Sequence, residues 1–137
     1  MGRAASLFAG VLQALIGAQL LAAAAAEAGN ATRGERAFQR CFACHSVDPA
    51  EPAKLQGPSL FKIIGRPAAA VAGFVYSEAM QKAAAAGLVW DAATLDRFLA
   101  DPEAVVAGTA MSIPPVRDGD ERADLVAYLK RSGAFGP

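Results

Sequence analysis

Cys41-Phe42-Ala43-Cys44-His45 holds both cysteines and the single histidine of a 137-residue chain in five consecutive positions. Two thiols at this spacing, followed at once by an imidazole, can form thioether bonds to the two vinyl groups of a haem and offer its iron one axial nitrogen. No other cysteine exists, so no disulfide can close a long loop, and a stabilising crosslink, if there is one, runs to something other than the chain. A zinc site would need further cysteine or histidine ligands that are missing. A thioredoxin-like dithiol would need a βαβ setting, and none is visible.

Upstream of this stretch, Met1-Gly2-Arg3 supplies one positive charge and Ala4 to Ala26 runs without charge. A basic start, an apolar centre from Leu7 to Leu21 and Ala26-Glu27-Ala28 as an A-x-A cleavage site read as a secretory signal over residues 1–28. Cleavage after Ala26 fits nearly as well. An uncleaved anchor is the competing reading, since about 20 apolar residues can span a bilayer, but Ser6, Gly10, Gln13, Gly17 and Gln19 dilute the hydrophobicity. Either way the remainder, residues 29–137, is expected outside the cytoplasm, where covalent haem attachment is carried out. It is one domain's worth of chain, roughly a hundred residues; much of the 54% apolar fraction of the full sequence is alanine, and much of that alanine lies in the first 28 positions. A bulky apolar cofactor would help to fill so modest a core.

Thirteen basic and thirteen acidic residues leave no net charge, and no block of like charge suggests nucleic acid. Thr32 and Glu35 have capping-box spacing, predicting a helix that delivers the haem-binding pentapeptide, with Ala37, Phe38 and Cys41 at helical spacing. Ser46 to Gly57, with Asp48-Pro49 and Glu51-Pro52, reads as a loop. Gly57-Pro58-Ser59-Leu60 reads as a turn, and the stretch after it has too few strand signals for a sheet. Ser77 can cap a helix from Glu78 to Ala86 stopped by Gly87, and Asp91 another from Ala92 to Ala100 with Leu95, Phe98 and Leu99 on one face and Pro102 at its end. The last helix has Asp118 and Glu121 at capping-box spacing, a stripe of Leu125, Tyr128 and Leu129, Lys130 and Arg131 near its C-terminus, and Gly133 to end it.

A haem iron in a closed site takes two axial ligands, and there is no second histidine. Apart from lysine amines, the candidates are the thioethers of Met80 and Met111, Met1 being in the export segment. Met80 sits in a predicted helix among alanines, where methionine is ordinarily a core residue. Met111 lies in Gly108-Thr109-Ala110-Met111-Ser112-Ile113-Pro114-Pro115, an irregular loop stiffened by prolines, and is the favoured ligand. A thioether opposite an imidazole raises the reduction potential relative to two nitrogens. With both positions filled, outer-sphere electron transfer is the expected activity.

These stretches together resemble the class I cytochromes c, single-haem carriers of the mitochondrial and bacterial c2 kind. The likeness runs from about Gly34 to Leu129: G-E-R-A-F-Q-R-C-F-A-C-H from Gly34, G-P-S-L from Gly57, Gly65-Arg66, G-F-V-Y-S from Gly73, Trp90, G-T-A-M from Gly108 and E-R-A-D-L-V-A-Y-L from Glu121. The resemblance implies an all-α cytochrome c fold, helices and loops wrapped around one covalently bound haem c. It implies thioethers at Cys41 and Cys44, His45 and Met111 as the iron ligands, and the Pro58 carbonyl as acceptor for the other imidazole N–H. Tyr76 and Trp90 would donate to a haem propionate, with Arg66 and Thr109 nearby, and Gly34 and Phe38 would pack against Leu125 and Tyr128.

Three departures stand out. Phe98 replaces a tyrosine that in this family often reaches the methionine sulfur, and Met80 falls near a position that is polar in mitochondrial members. The lysine-rich docking ring is also unmatched, since Lys54, Lys62, Lys82 and Lys130 are the only lysines. The expected protein is a monomeric periplasmic electron carrier, not an enzyme, working between a quinol-oxidising complex or dehydrogenase and a terminal oxidase. It would bind no nucleic acid and meet a membrane only through partners or a retained N-terminal segment. The alternative is a haem c subunit held within a larger oxidoreductase complex.

Overall fold

The computed structural model describes residues 29–49 and 55–134. The export segment and Lys54 lie outside the described residues. Among the described residues, five α-helices run in order: α1 (Ala31–Ala37), α2 (Glu78–Ala85), α3 (Ala92–Ala100), α4 (Pro102–Val105) and α5 (Gly119–Ala134). A 3-10 turn, Phe38–Arg40, continues α1. The fold is all-α, and residues 41–49 and 55–77 form turns and irregular segments apart from the short strand Arg66–Pro67.

Capping explains where the helices begin. Ser77 accepts the amide proton of Met80 and opens α2, and Asp91 accepts that of Thr94 at 2.7 Å and opens α3. Asp118 Oδ1 accepts from Asp120 and Glu121 and opens α5. At α1 the expectation fails. The cap is Asn30, whose side-chain oxygen accepts from Thr32 and Arg33, so Thr32 lies inside the helix. Neither capping box closes, because the two glutamates are used across the fold: Glu35 pairs with Arg131 at 2.6 Å and Glu121 pairs with Arg40.

Two further differences concern Pro102 and Gly133. Pro102 does not merely stop α3; it occupies the first turn of α4, where its missing N–H costs nothing, and Asp101 is the cap. Helix α5 runs through Gly133 to Ala134. Gly133 is there for space, since a Cβ would come within 3.2 Å of Lys62 Cα. A two-residue antiparallel pair, Arg66–Pro67 with Val89–Trp90, also forms, with Arg66 opposite Trp90 and Pro67 opposite Val89. So short a ladder leaves no alternating pattern for a sequence to show.

Helices α1 and α5 make the most extensive helix contact among the described residues. They cross at Gly34, where a Cβ would overlap the Asp124 carbonyl and lie 2.8 Å from Tyr128 Cβ. The rings of Phe38 and Tyr128 meet at 5.2 Å, and Phe38 and Leu125 are the most completely buried large side chains. Buried Asp124 anchors the same crossing. Its carboxylate receives Arg33 Nε at 2.6 Å, Arg33 Nη2 at 2.9 Å and the Asn30 amide, and the Arg33 guanidinium holds it below the ordinary aspartate range. The rest of the core is Ile63, Ala68, Trp90, Leu95, Phe98, Leu99, Val106, Val116 and Leu129. The stripes expected on α3 and α5 are therefore the ones buried.

Candidate functional site

The crossing of α1 with α5 sets down the Cys41–His45 segment as a tight turn. Cys41 donates to Phe38 O at 2.7 Å, and Cys44 and His45 both donate to Cys41 O, at 3.0 and 2.9 Å. Both thiols are free, and burial pushes the Cys41 thiol pKa up. Phe42 stands half-exposed, edge-on to Phe38 at 4.9 Å.

The Gly57–Leu60 turn is tied back onto this segment. Gly57 donates to Cys44 O and Leu60 to Ser46 O, each at 2.8 Å. That brings Pro58 O to 2.7 Å from His45 Nδ1. A carbonyl can only accept, so Nδ1 carries the proton and Nε2 is left with a free lone pair. Burial lowers the His45 pKa and so favours the neutral ring, an effect the bond to Pro58 partly opposes. Gly57 lies flat against the imidazole: a Cβ there would stand 2.6 Å from Nδ1 and 2.8 Å from Nε2.

Polar side chains gather on the segments that follow. Arg66 is half-buried, donates to Phe61 O at 3.0 Å and Ser59 O at 2.7 Å, and forms no ion pair among the described residues. Burial lowers its pKa, while nearby Tyr76 raises it. Tyr76 Oη accepts from Val71 N at 3.2 Å, which leaves its own proton free to donate. Trp90 is buried edge-on to Phe98 at 5.0 Å.

Both candidate methionines pack against the core. Met80 reaches it from α2 and Met111 from the loop after α4, each partly buried. The Met111 amide donates to Thr109 Oγ1 at 3.2 Å, and Thr109 N to Val106 O at 3.0 Å.

These residues fit a haem. Two free thiols and an imidazole with its lone pair available sit in one turn, and Arg66, partly buried and without an ion pair among the described residues, would be balanced by a carboxylate. The Tyr76 hydroxyl proton is available to the same group. Sequence reasoning missed the contact of Gly57 with the ring, which the turn-forming pair Gly57-Pro58 only hinted at. It also missed the anchor at Asp124, whose partner is 91 residues away.

Such a fold and site define a c-type haem protein, with one haem held covalently by a helical chain. No protein-family model matches the chain. Curated relatives do. Cytochrome c2 of Rhodomicrobium vannielii is 42% identical over 118 residues, covering 85% of this chain and 90% of that protein. Cytochrome c2 of Blastochloris viridis is 35% identical over 113 residues, covering 82% and 86%. Among solved structures, cytochrome cH from Methylobacterium extorquens superposes with a TM-score of 0.66 at 38% identity, covering 75% of this chain and 99% of that one. The chain belongs to the class I cytochrome c family. It carries one covalently attached haem c and is an electron-transfer protein that works with redox partner proteins.

Proposed function

We propose that the chain is a periplasmic one-electron shuttle, exported by residues 1–28, whose domain of residues 29–137 holds the iron between His45 and Met111. The observation that carries the reading is the 2.7 Å approach of His45 Nδ1 to Pro58 O, which leaves Nε2 as the only imidazole ligand atom. An outer partner of this kind fixes ring orientation and ligand basicity. The bound haem supplies the one-electron couple of its iron.

The chain's own residues do the rest. Cys41 and Cys44 would tether the group, His45 would supply the imidazole nitrogen to its iron, and Met111 would supply the thioether. Arg66, Tyr76 and Trp90 would receive the propionates, with Thr109 beside them. Buried carboxylate charge is costly unless paired, so a half-buried Arg66 beside hydroxyl and indole donors suits that role. With His45 and Met111 both holding the iron, no coordination place would remain for a substrate; Trp90, Phe98 and Val106 are buried in the core. The electron passes to and from a quinol-oxidising complex or dehydrogenase on one side and an oxidase on the other. No helix among the described residues is long and apolar enough to cross a membrane.

Two substitutions test the ligand assignment. Met111→Ala should abolish the methionine–iron absorption band at the red end of the ferric spectrum and lower the reduction potential, while Met80→Ala should keep the band. The reverse pattern would transfer the ligand role to α2.

A further inference from the structure

Glu103 is exposed on the first turn of α4, yet its carboxylate is directed forward along the chain, where Oε2 accepts the amide proton of Gly108 at 2.8 Å. Gly108 has φ +78, a left-handed value, and marks the reversal from which the loop leads to Met111. Two more bonds complete the run: Thr109 N to Val106 O, and Met111 N to Thr109 Oγ1. Asp101 in turn fixes α4 by accepting from Ala104 N at 3.2 Å. The backbone before Met111 is thus held by three hydrogen bonds in series, and Glu103 contributes the one anchored on a helix. Between Asp101 and Asp118 there is neither lysine nor histidine, so that loop offers no nitrogen ligand in place of Met111.

We propose that Glu103 is a positioning residue for Met111, a latch that holds the ligand loop closed through the Gly108 amide. The inference rests on the reading of Met111 as the second axial ligand. A ligand side chain is only as precise as the groups that support it. One hydrogen bond to a charged acceptor at an exposed position is a modest but measurable weight on the equilibrium between closed and open loop.

The test is a titration of the ferric holoprotein with imidazole, which binds only when Met111 has left. Glu103→Ala should bind imidazole about fivefold more tightly than the parent, the equilibrium weight of one such bond. Glu103→Gln retains an acceptor oxygen at the same reach and should stay close to the parent. Denaturant unfolding of the three proteins supplies the control, because a latch acts on the loop and should leave the global midpoint nearly unchanged. Three results would each overturn the proposal. These are parental imidazole affinity in Glu103→Ala, equal behaviour of the alanine and glutamine variants, or a fall in global stability that accounts for the whole shift. A parent protein without the methionine–iron band would instead overturn the ligand assignment beneath it.

Discussion

Alanine at position 34 is expected to destabilise the holoprotein by about 3 kcal/mol, the upper part of the range for forcing extra volume into a packed site. The added methyl has nowhere to go: its position overlaps the Asp124 carbonyl and lies 2.8 Å from Tyr128 Cβ, so the backbones of α1 and α5 must part. Helix α1 has only seven residues and cannot persist without its packing. Parting the helices also loosens the Phe38–Tyr128 ring contact and the pairs Arg33–Asp124, Arg40–Glu121 and Arg131–Glu35, all of which bridge this crossing. Denaturant unfolding followed by circular dichroism measures the loss. A change below about 1 kcal/mol, the lower end of that range, would show that the helices can re-seat at little cost.

The second large effect is local. Alanine at position 57 should leave most of the fold in place while displacing the His45 ring, because its Cβ would stand within 3 Å of both ring nitrogens. The ring cannot move away and still keep its 2.7 Å bond to Pro58 O. Removing an outer partner of a metal-bound histidine typically weakens the site by about 10- to 100-fold. A proton competing for the same nitrogen then gains that factor, so the acid conversion of the low-spin ferric spectrum should move up by about one to two pH units. The acid titration of the visible spectrum reads this directly. An unchanged midpoint would mean that the Gly57 turn, and not the imidazole, gives way.

Much of this was legible in local pattern. The haem pentapeptide, the caps at Ser77, Asp91 and Asp118, and the stripe Leu125, Tyr128, Leu129 are each written within a few residues of one another, so short-range chemistry decides them. What the pattern misled on has a common cause. Glu35 and Glu121 look like capping-box partners, but Glu35 finds Arg131 on α5 and Glu121 finds Arg40 in the 3-10 turn after α1, and Asn30 takes over the cap of α1. Gly133 looks like a stop signal, but it provides clearance for Lys62 within a continuing helix. Such competition between a local and a distant partner has no trace in spacing. The same holds for Asp124, one polar position among several on α5 until Arg33 and Asn30 close around it. Met80 and Met111 differ in sequence setting, helix against proline-stiffened loop, and both end up against the core. Burial does not separate them, which is why their roles rest on substitution and spectrum.

The departures from the family pattern also acquire a physical setting. Phe98 is packed edge-on against Trp90 inside the core, so the position serves apolar packing here. Among the described residues, the cationic side chains of Arg33, Arg40, Lys82, Arg122 and Arg131 are engaged in ion pairs. Together with the zero net charge, this leaves little uncompensated positive field to steer an acidic partner over long range.

If His45 and Met111 close the iron on both faces, as proposed, only electrons are exchanged there. Carbon monoxide added to the reduced protein at neutral pH tests this in a single spectrum, because it binds ferrous haem wherever an axial place is free. An unchanged spectrum is the predicted result. Prompt conversion to a carbon monoxide complex would contradict the account, since it would mean that Met111 and its loop leave the iron open.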